Sequence, residues 1–140
     1  MGEVALVVSD VDDGLRERLE AEINAFNVAA TGYADAGLLC IAARDDGEDL
    51  CAGLFGWTWG GCAYIEFLWV RQEHRGSGLG SRLLATAEHE ARRRGCDQMA
   101  LSTHSFQAPG FYARSGYREC GRTPAYPRGY DQIHLVKQLQ

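Results

Sequence analysis

The spacing of apolar residues changes along the chain, and each spacing predicts a type of element. A short apolar run at residues 4–8 predicts a first strand. Apolar residues then recur at intervals of three and four from Leu15 to Phe26, which predicts an amphipathic helix over about residues 12–27. The segment that follows, up to Gly37, contains two glycines and several small residues and is typical of a loop.

Three strands are expected next. Residues 38–43, 50–59 and 62–70 are apolar segments that contain β-branched and aromatic side chains. Asp-Gly and Gly-Gly turn signals separate them, which is typical of antiparallel hairpins. Gly53 and Gly56 lie inside the second of these strands, where an interior glycine indicates a bulge or a bend.

The second half of the chain alternates between helical and extended patterns. An apolar stripe at helical spacing follows three closely spaced glycines and predicts a helix that ends at Gly95. Beyond it we expect a strand over residues 97–102, a short helix over 109–114, and an antiparallel pair of strands over 117–123 and 130–136. This order predicts a single domain of the α/β (α+β) class, with a central mixed sheet of six to seven strands flanked by helices.

A glycine-rich loop joins the strand over residues 62–70 to the helix behind it. Its sequence is Arg75-Gly76-Ser77-Gly78-Leu79-Gly80, and Ser81 follows. Free amides at a helix N-terminus attract anions, and glycines let a phosphate approach the backbone closely. The loop has neither the Gly-Lys-Ser/Thr of a Walker loop nor the Gly-x-Gly-x-x-Gly spacing of a dinucleotide site. It therefore predicts a phosphate site for another kind of ligand.

Three segments of the chain resemble motifs of one enzyme superfamily. The loop matches Gln/Arg-x-x-Gly-x-Gly/Ala, the pyrophosphate-binding pattern of the GCN5-related N-acetyltransferase (GNAT) superfamily. Leu68-Trp69-Val70-Arg71 is similar to the strand that holds the pantetheine arm in that family. Ala108-Pro109-Gly110-Phe111-Tyr112-Ala113-Arg114-Ser115-Gly116-Tyr117 is similar to its Ala-x-x-Phe-Tyr-x-x-x-Gly-Phe/Tyr segment. The resemblance spans residues 64–117 and implies a GNAT-like fold.

The resemblance implies transfer of an acetyl group from acetyl-CoA to a primary amine by direct attack on the thioester, with CoA as product. Residues of the strand, the loop and the later segment would bind the cofactor: Leu68, Trp69, Val70, Arg75, Gly76, Ser77, Gly78, Leu79, Gly80, Ser81, Gln107 and Tyr112. The expected acceptor is a small molecule, such as a metabolite or an antibiotic-like amine. A protein or peptide amine is the alternative acceptor, and a non-catalytic acyl-CoA-binding sensor is the alternative from another class.

Two residues are the candidates for acid–base chemistry. The family uses a tyrosine at the position of Tyr112 near the CoA sulfur, and a phenol with its pKa near 10 can protonate a departing thiolate. Glu66 is a charged residue inside an apolar strand, so it should face a cleft, a partner or solvent. The sequence supports a role for Glu66 as a base and a role as a structural carboxylate equally. His104 is a rival base, and a chain of water molecules is a further alternative.

The acceptor pocket carries no signature of its own. In the family the segment after the first helix borders the acceptor, which makes Phe26, Tyr33 and Asp35 candidate contacts. Trp57 and His104 are further candidates, because each lies in or beside a strand expected near the site. Ordinary packing in the core or in a loop explains these residues at least as well as contact with an acceptor does. The strand over residues 97–103 and the loop over 126–130 should shape the pocket.

Composition narrows the classes of partner. The net charge of −5 argues against nucleic acid and acidic membranes as partners. No apolar run reaches the ~20 residues of a membrane span and the first residues lack a signal peptide's basic start, so we expect a cytoplasmic protein. The five cysteines show no metal-ligand spacing, and no metal is expected. A homodimer is compatible with the resemblance, since dimers are common in the superfamily.

Overall fold

The computed structural model describes residues 2–140, and these divide into two compact units with a boundary between Ala34 and Asp35. The first unit contains one helix, α1 (Leu15–Thr31). It follows Gly14, whose φ is 83°, and ends at Gly32, whose φ is 78° and whose amide donates to the carbonyl oxygen of Val28. A left-handed glycine is a common helix terminator because it has no Cβ to oppose that conformation.

The N-terminal prediction was partly wrong. The amphipathic helix is present, although it continues four residues beyond the predicted end at residue 27. Residues 4–8, however, form no strand. A strand is stable when a neighbour satisfies its backbone hydrogen bonds, and no strand pairing within residues 2–140 includes this run. An apolar run by itself therefore does not establish a strand.

The second unit, Asp35–Gln140, is built on one sheet. Its strands and helices follow in the order β1 (Gly37–Arg44), β2 (Leu50–Trp59), β3 (Cys62–Val70), a 3₁₀ turn (Gln72–His74), α2 (Leu79–Arg93), β4 (Gln98–His104), α3 (Pro109–Arg114), β5 (Arg118–Pro124) and β6 (Asp131–Gln138). The spatial order is β1-β2-β3-β4-β6-β5. All neighbours are antiparallel except β3 and β4, which are parallel, so the mixed sheet that we expected is confirmed with six strands.

Helix α2 covers the sheet through its apolar stripe. Leu83, Leu84, Ala87 and Ala91 are all buried, as their helical spacing predicts. Three of these four join one core cluster with side chains from the strands, such as Leu54, Ile65, Met99 and Leu101. Burial of each large apolar side chain stabilises the fold by roughly 1.5–3 kcal/mol. The packed stripe thereby holds the start of α2 close to the end of β3.

The parallel pair β3 and β4 separates part of the way along. Its pairing begins at Cys62 and Gln98 and stops at Ile65 and Leu101, although both strands continue for several more residues. The two strands therefore diverge toward their C-terminal ends. This separation depends on the pairing of strands distant in the chain, so the spacing of residues in the sequence does not show it.

A β-bulge lies where the separation begins. Phe55 pairs with Phe67 and Gly56 pairs with Ile65, so Glu66 is an extra residue on β3. A Cβ at Gly56 would lie 2.0 Å from the carbonyl oxygen of Tyr64, which no side chain tolerates. The bulge that an interior glycine indicated is thus confirmed at Gly56. It interrupts the simple alternation of side chains along β3.

Candidate active site

A cavity of about 880 Å³ opens between the diverging ends of β3 and β4. One wall is the end of β3 with the glycine-rich loop, and the other is the end of β4 with the turn and helix after it. The lining residues are Ile65, Glu66, Phe67, Leu68, Trp69, Val70, His74, Arg75, Gly76, Gly78, Gly80, Ser81, Leu101, Ser102, Thr103, Phe106, Gln107, Ala108, Phe111, Tyr112 and Arg114. The cavity therefore brings together most of the residues for which sequence motifs predicted a function.

The loop is held in shape by its own hydrogen bonds. The Nε of Arg75 donates to the carbonyl oxygen of Val70 over 2.9 Å, and the Ser77 hydroxyl donates to the carbonyl oxygen of His74. Gly76 and Gly78 have φ angles of 78° and 86°, which L-residues with side chains adopt with strain. The chain can therefore turn from β3 into α2 within a few residues.

The same turn leaves a run of free amides. Within residues 2–140, none of the backbone amides of residues 76–81 donates to a backbone or side-chain acceptor. Helix α2 starts within this run, and its first turn carries no acidic side chain. Unpaired amides with the positive end of a helix dipole form a site for an anion. The loop can thus hold a phosphate or pyrophosphate group.

Two arginines add positive charge to the cavity. Neither Arg75 nor Arg114 forms an ion pair with any carboxylate in the described part of the chain. Arg114 was missed by the sequence reasoning, where it appeared simply as a variable position of the Phe-Tyr segment. Its place in the last turn of α3 brings it to the cavity.

The end of β3 presents backbone groups to the gap. Leu68, Trp69 and Val70 line the cavity, and β4 no longer pairs with this part of β3. The Arg71 amide donates to the carbonyl oxygen of Cys51 on β2 over 2.7 Å. Successive amides of a strand point to opposite edges, so the Val70 amide points away from β2 and into the gap. An extended ligand can pair with this edge as a strand would.

Tyr112 lies in α3 against the core and also lines the cavity. Its side chain is 7% exposed, and burial raises the pKa of its phenol above the usual value. The rings of Phe111 and Tyr117 meet it edge-on, with centroids at 5.0 and 5.9 Å. The hydroxyl has no hydrogen-bond partner among residues 2–140. The residue is therefore a protonated donor beside the cavity.

Glu66 lines the same cavity from the bulge in β3. It is exposed, and no hydrogen bond or ion pair to it occurs among the described residues. A free carboxylate here is able to accept a proton from a ligand or to hold a water molecule. Its role as a base stays a prediction.

Gln107 supports the opposite wall. Its Oε1 accepts from the His104 amide over 2.8 Å and from the Thr103 hydroxyl over 3.4 Å. Its own amide donates to the His104 carbonyl oxygen over 2.8 Å. These bonds close the turn after β4 and leave the Gln107 side-chain NH₂ group as a donor for a ligand.

Several predicted site residues lie outside the cavity lining. Ser77 and Leu79 belong to the loop but do not line the cavity. Trp57 stacks on Tyr64 with centroids 5.1 Å apart, and the Nδ1 of His104 lies 2.9 Å from the Tyr126 carbonyl oxygen. Asp35 accepts from the Gly60 amide over 3.1 Å, and Phe26 and Tyr33 belong to the unit before Asp35. The proposed functions of these residues stay predictions.

Other lining residues were not singled out from the sequence. Phe67 and Phe106 are aromatic residues that line the cavity while more than half exposed. Ser102 also lines it, and its hydroxyl lies 3.4 Å from the Tyr64 hydroxyl. An aromatic residue inside the polar segment after β4 was the one available clue to Phe106.

Two features are absent from residues 2–140, a cluster of metal ligands and a membrane-spanning helix. No group of three or more His, Cys, Asp or Glu side chains in residues 2–140 is arranged to hold a metal ion. Over the same residues, the helices are all too short or too polar to cross a membrane.

Comparisons with known proteins agree with this geometry. The profile of the Acetyltransferase (GNAT) family matches residues 10–117. A blasticidin-S acetyltransferase of Streptomyces morookaense is 46% identical over 95 residues, which cover 65% of this chain and 68% of that protein. An acetyltransferase of Agrobacterium fabrum is 37% identical over 134 residues, covering 95% of this chain and 98% of that protein.

A solved structure extends the agreement to three dimensions. The crystal structure of an acetyltransferase from Bacillus cereus superimposes with a TM-score of 0.82 at 27% identity, covering 96% of this chain and 98% of that one. The match in sequence spans the strand, loop and helix that build the cavity. The chain therefore belongs to the GNAT family and is an acetyltransferase.

Proposed function

We propose that this protein transfers the acetyl group of acetyl-CoA to a primary amine of a small molecule. The observation that carries the proposal is the run of free amides at residues 76–81, which opens onto a cavity that also contains the buried Tyr112. An anion site alone would suit many phosphorylated ligands. An anion site joined to a free strand edge and a buried phenol suits a long thioester with a pyrophosphate at one end.

The residues of the cavity fit CoA in three parts. The amides of residues 76–81, with Arg75 and Arg114, would hold the phosphates, because they supply donors and charge without a competing carboxylate. The edge of β3 from Leu68 to Val70 would pair with the pantetheine arm. Gln107 would offer its NH₂ group to the arm from the opposite wall.

The same cavity supplies groups for each proton movement. Glu66, or a water molecule that it holds, would take a proton from the amine as the new C–N bond forms. The Val70 amide would donate to the carbonyl oxygen of the thioester, where negative charge develops. Tyr112 would give its phenolic proton to the sulfur as the C–S bond breaks, so that CoA leaves as a thiol. The raised pKa of Tyr112 supports this role because the phenol keeps its proton until it is needed.

A small-molecule acceptor is favoured by the similarity to the blasticidin-S acetyltransferase. That relative is 46% identical over a segment of 95 residues. The acidic net charge of −5 also suits a cationic amine. Blasticidin S is therefore the first compound to test, together with other amines.

The proposal is tested by thiol release from acetyl-CoA in the presence of a panel of amines. The panel contains blasticidin S and other nucleoside antibiotics, aminoglycosides, polyamines, amino acids and peptides. We expect thiol release with one class of small molecule, and mass spectrometry should find one added acetyl group on that amine. Release with peptides alone would overturn the small-molecule acceptor. Binding of CoA without release across the panel would favour the sensor alternative, and no binding of CoA would overturn the whole proposal.

A further inference from the structure

Four aromatic rings form a cluster on the β4 side of the cavity. Phe106 stacks on His104 with centroids 5.4 Å apart and an interplanar angle of 14°. Tyr130 meets Phe106 at 5.0 Å and 71°, and Tyr126 meets His104 at 5.4 Å and 86°. The Nδ1 of His104 lies within hydrogen-bond distance of the Tyr126 carbonyl oxygen, at 2.9 Å. We call these four residues the aromatic cluster.

The cluster holds Phe106 in place although the ring is 54% exposed. A free phenylalanine at the surface rotates between rotamers, whereas this ring is confined by His104 and Tyr130. Phe106 also lines the cavity, and it is the one member of the cluster that does so. The ring is therefore preorganised, with apolar surface directed to whatever fills the cavity.

Phe106 lies across the gap from the glycine-rich loop, on the wall where Gln107 would reach the pantetheine arm rather than the pyrophosphate. The free amides of residues 76–81 lie on the wall formed by β3 and α2. Phe106 lies on the other wall, in the turn between β4 and α3, and its partner Tyr130 comes from the loop between β5 and β6. Strand β6 pairs with β4 on the side away from β3. The cluster is thus on the far side of the gap from the phosphate loop.

The bulge in β3 adds matching chemistry to the cavity. Phe67 is 63% exposed and lines it, and the unpaired carboxylate of Glu66 is its neighbour in the chain. Aromatic surface is favourable for a flat ring, and a carboxylate is favourable for an ammonium group. A saturated polyamine or a simple amino acid would use the carboxylate but leave both rings in contact with water.

We infer that the acceptor of this enzyme is an amine that carries a planar aromatic or heteroaromatic ring, and that Phe106 contacts this ring. The inference rests on the proposed acetyl transfer and names the substrate class of the same site. Phe106 is a specificity-determining residue in this account, and it takes no part in the proton transfers.

The test compares amines that differ in the ring alone. 2-Phenylethylamine and 2-cyclohexylethylamine place the nitrogen at the same distance from a six-membered ring that is flat in one and puckered in the other. We expect kcat/KM per unprotonated amine to favour the aromatic member about three- to tenfold, the range given by one aromatic contact. Phe106→Leu should bring the ratio close to one and leave the KM for acetyl-CoA unchanged, and Phe106→Tyr should keep the preference.

The other possible results of this comparison would contradict either the inference or the proposed acetyl transfer. Equal kcat/KM for the two amines in the wild-type protein would overturn the inference while leaving acetyl transfer intact. A preference that persists in Phe106→Leu would show that another residue contacts the ring, and a raised KM for acetyl-CoA in that variant would place Phe106 on the cofactor. Absence of transfer to every amine would contradict the proposed function itself. The wild-type comparison needs no variant, so the inference stays testable if Phe106→Leu fails to fold.

Discussion

Gly56 shows how a single residue can determine the shape of a site. Any Cβ at this position would lie 2.0 Å from the Tyr64 carbonyl oxygen, so the backbones of β2 and β3 can approach each other because glycine is present. That approach accompanies the bulge at Glu66, and the pairing of β3 with β4 ends one residue earlier, at Ile65. One missing side chain on β2 is thereby linked to the opening of the cavity on the other side of β3.

We predict that Gly56→Ala lowers the free energy of unfolding by about 3 kcal/mol, because the added methyl group forces the two backbones apart. Urea denaturation followed by circular dichroism would measure the loss. Gly53→Ala in the same strand is the matched control, since its Cβ would lie 3.3 Å from the Ile41 carbonyl oxygen. A similar loss in both variants would mean that β-strand glycines are costly to replace here in general, and the specific account of Gly56 would fail.

Tyr112 carries a prediction at the level of one hydroxyl group. Tyr112→Phe should keep the affinity for CoA and lower kcat by about 10²–10⁴-fold, because the buried phenol would no longer protonate the departing sulfur. Burial raises the pKa of this phenol above its usual value of 10.0, so the wild-type rate should not fall through loss of this proton below pH 10. Stopped-flow or steady-state kinetics across pH would check both statements. An unchanged kcat in the variant would remove Tyr112 from the acid role.

At the scale of elements, the junction of β3, the loop and α2 acts as one unit. The strand ends at Val70, whose carbonyl oxygen accepts from Arg75, and the helix starts after Gly78. A Cβ on Gly80 would lie 3.5 Å from the Phe111 ring and 3.7 Å from the Val70 side chain, so the start of α2 packs against α3 and β3. The free amides are therefore held by three elements, which fixes their positions before a ligand binds.

The affinity of this junction for CoA is open to a direct test. Gly78→Glu should abolish CoA binding, because a carboxylate placed among the free amides repels the phosphates and occupies their space. Gly78→Ala is the control: it imposes the same strain at a φ of 86° but adds no charge, so it should lose much less affinity. Isothermal titration calorimetry with CoA would measure both. Unchanged binding by the glutamate variant would show that the phosphates lie elsewhere.

At the scale of the whole Asp35–Gln140 unit, one partly buried ion pair joins distant parts of the chain. Lys137 on β6 donates to Glu88 on α2 over 2.9 Å and to the Ser115 carbonyl oxygen over 2.9 Å. The Tyr117 hydroxyl donates to the other oxygen of Glu88 over 2.9 Å, and burial together with this carboxylate raises the pKa of Tyr117. The Tyr117 ring meets Tyr112 edge-on, so the network connects the framework to the candidate active site.

Lys137→Met should therefore destabilise the protein by about 2–3 kcal/mol, since it leaves the Glu88 carboxylate buried with one neutral donor. This expected loss of stability is smaller than the loss for a fully buried ion pair because the Lys137 side chain is 25% exposed. The double variant Lys137→Met/Glu88→Leu removes both charges and should recover part of the loss. Chemical denaturation of the three proteins would give the comparison, and a double variant less stable than Lys137→Met would contradict this account.

The fold of this unit was largely predictable because most of its signals are local. The observed bounds of β2, β3 and α3 are those expected from apolar runs, turn signals and the proline at the start of α3. Gly95 ends α2 with a φ of 84°, as its position after the apolar stripe predicted. In the unit before Asp35, the strand predicted at residues 4–8 was wrong, because apolar character alone does not supply a strand partner.

The sequence by itself determined the strand–loop–helix junction and the amides that it leaves free, and it singled out Tyr112, since these depend on backbone preferences and motifs within a few residues. Tertiary structure decided where β3 leaves β4, how Glu66 becomes a bulge residue, and that Arg114 and Phe106 reach the same cavity. Those features arise from residues far apart in the chain that meet through sheet pairing and packing. Local spacing contains no information about such distances, whereas the packed sheet sets them directly.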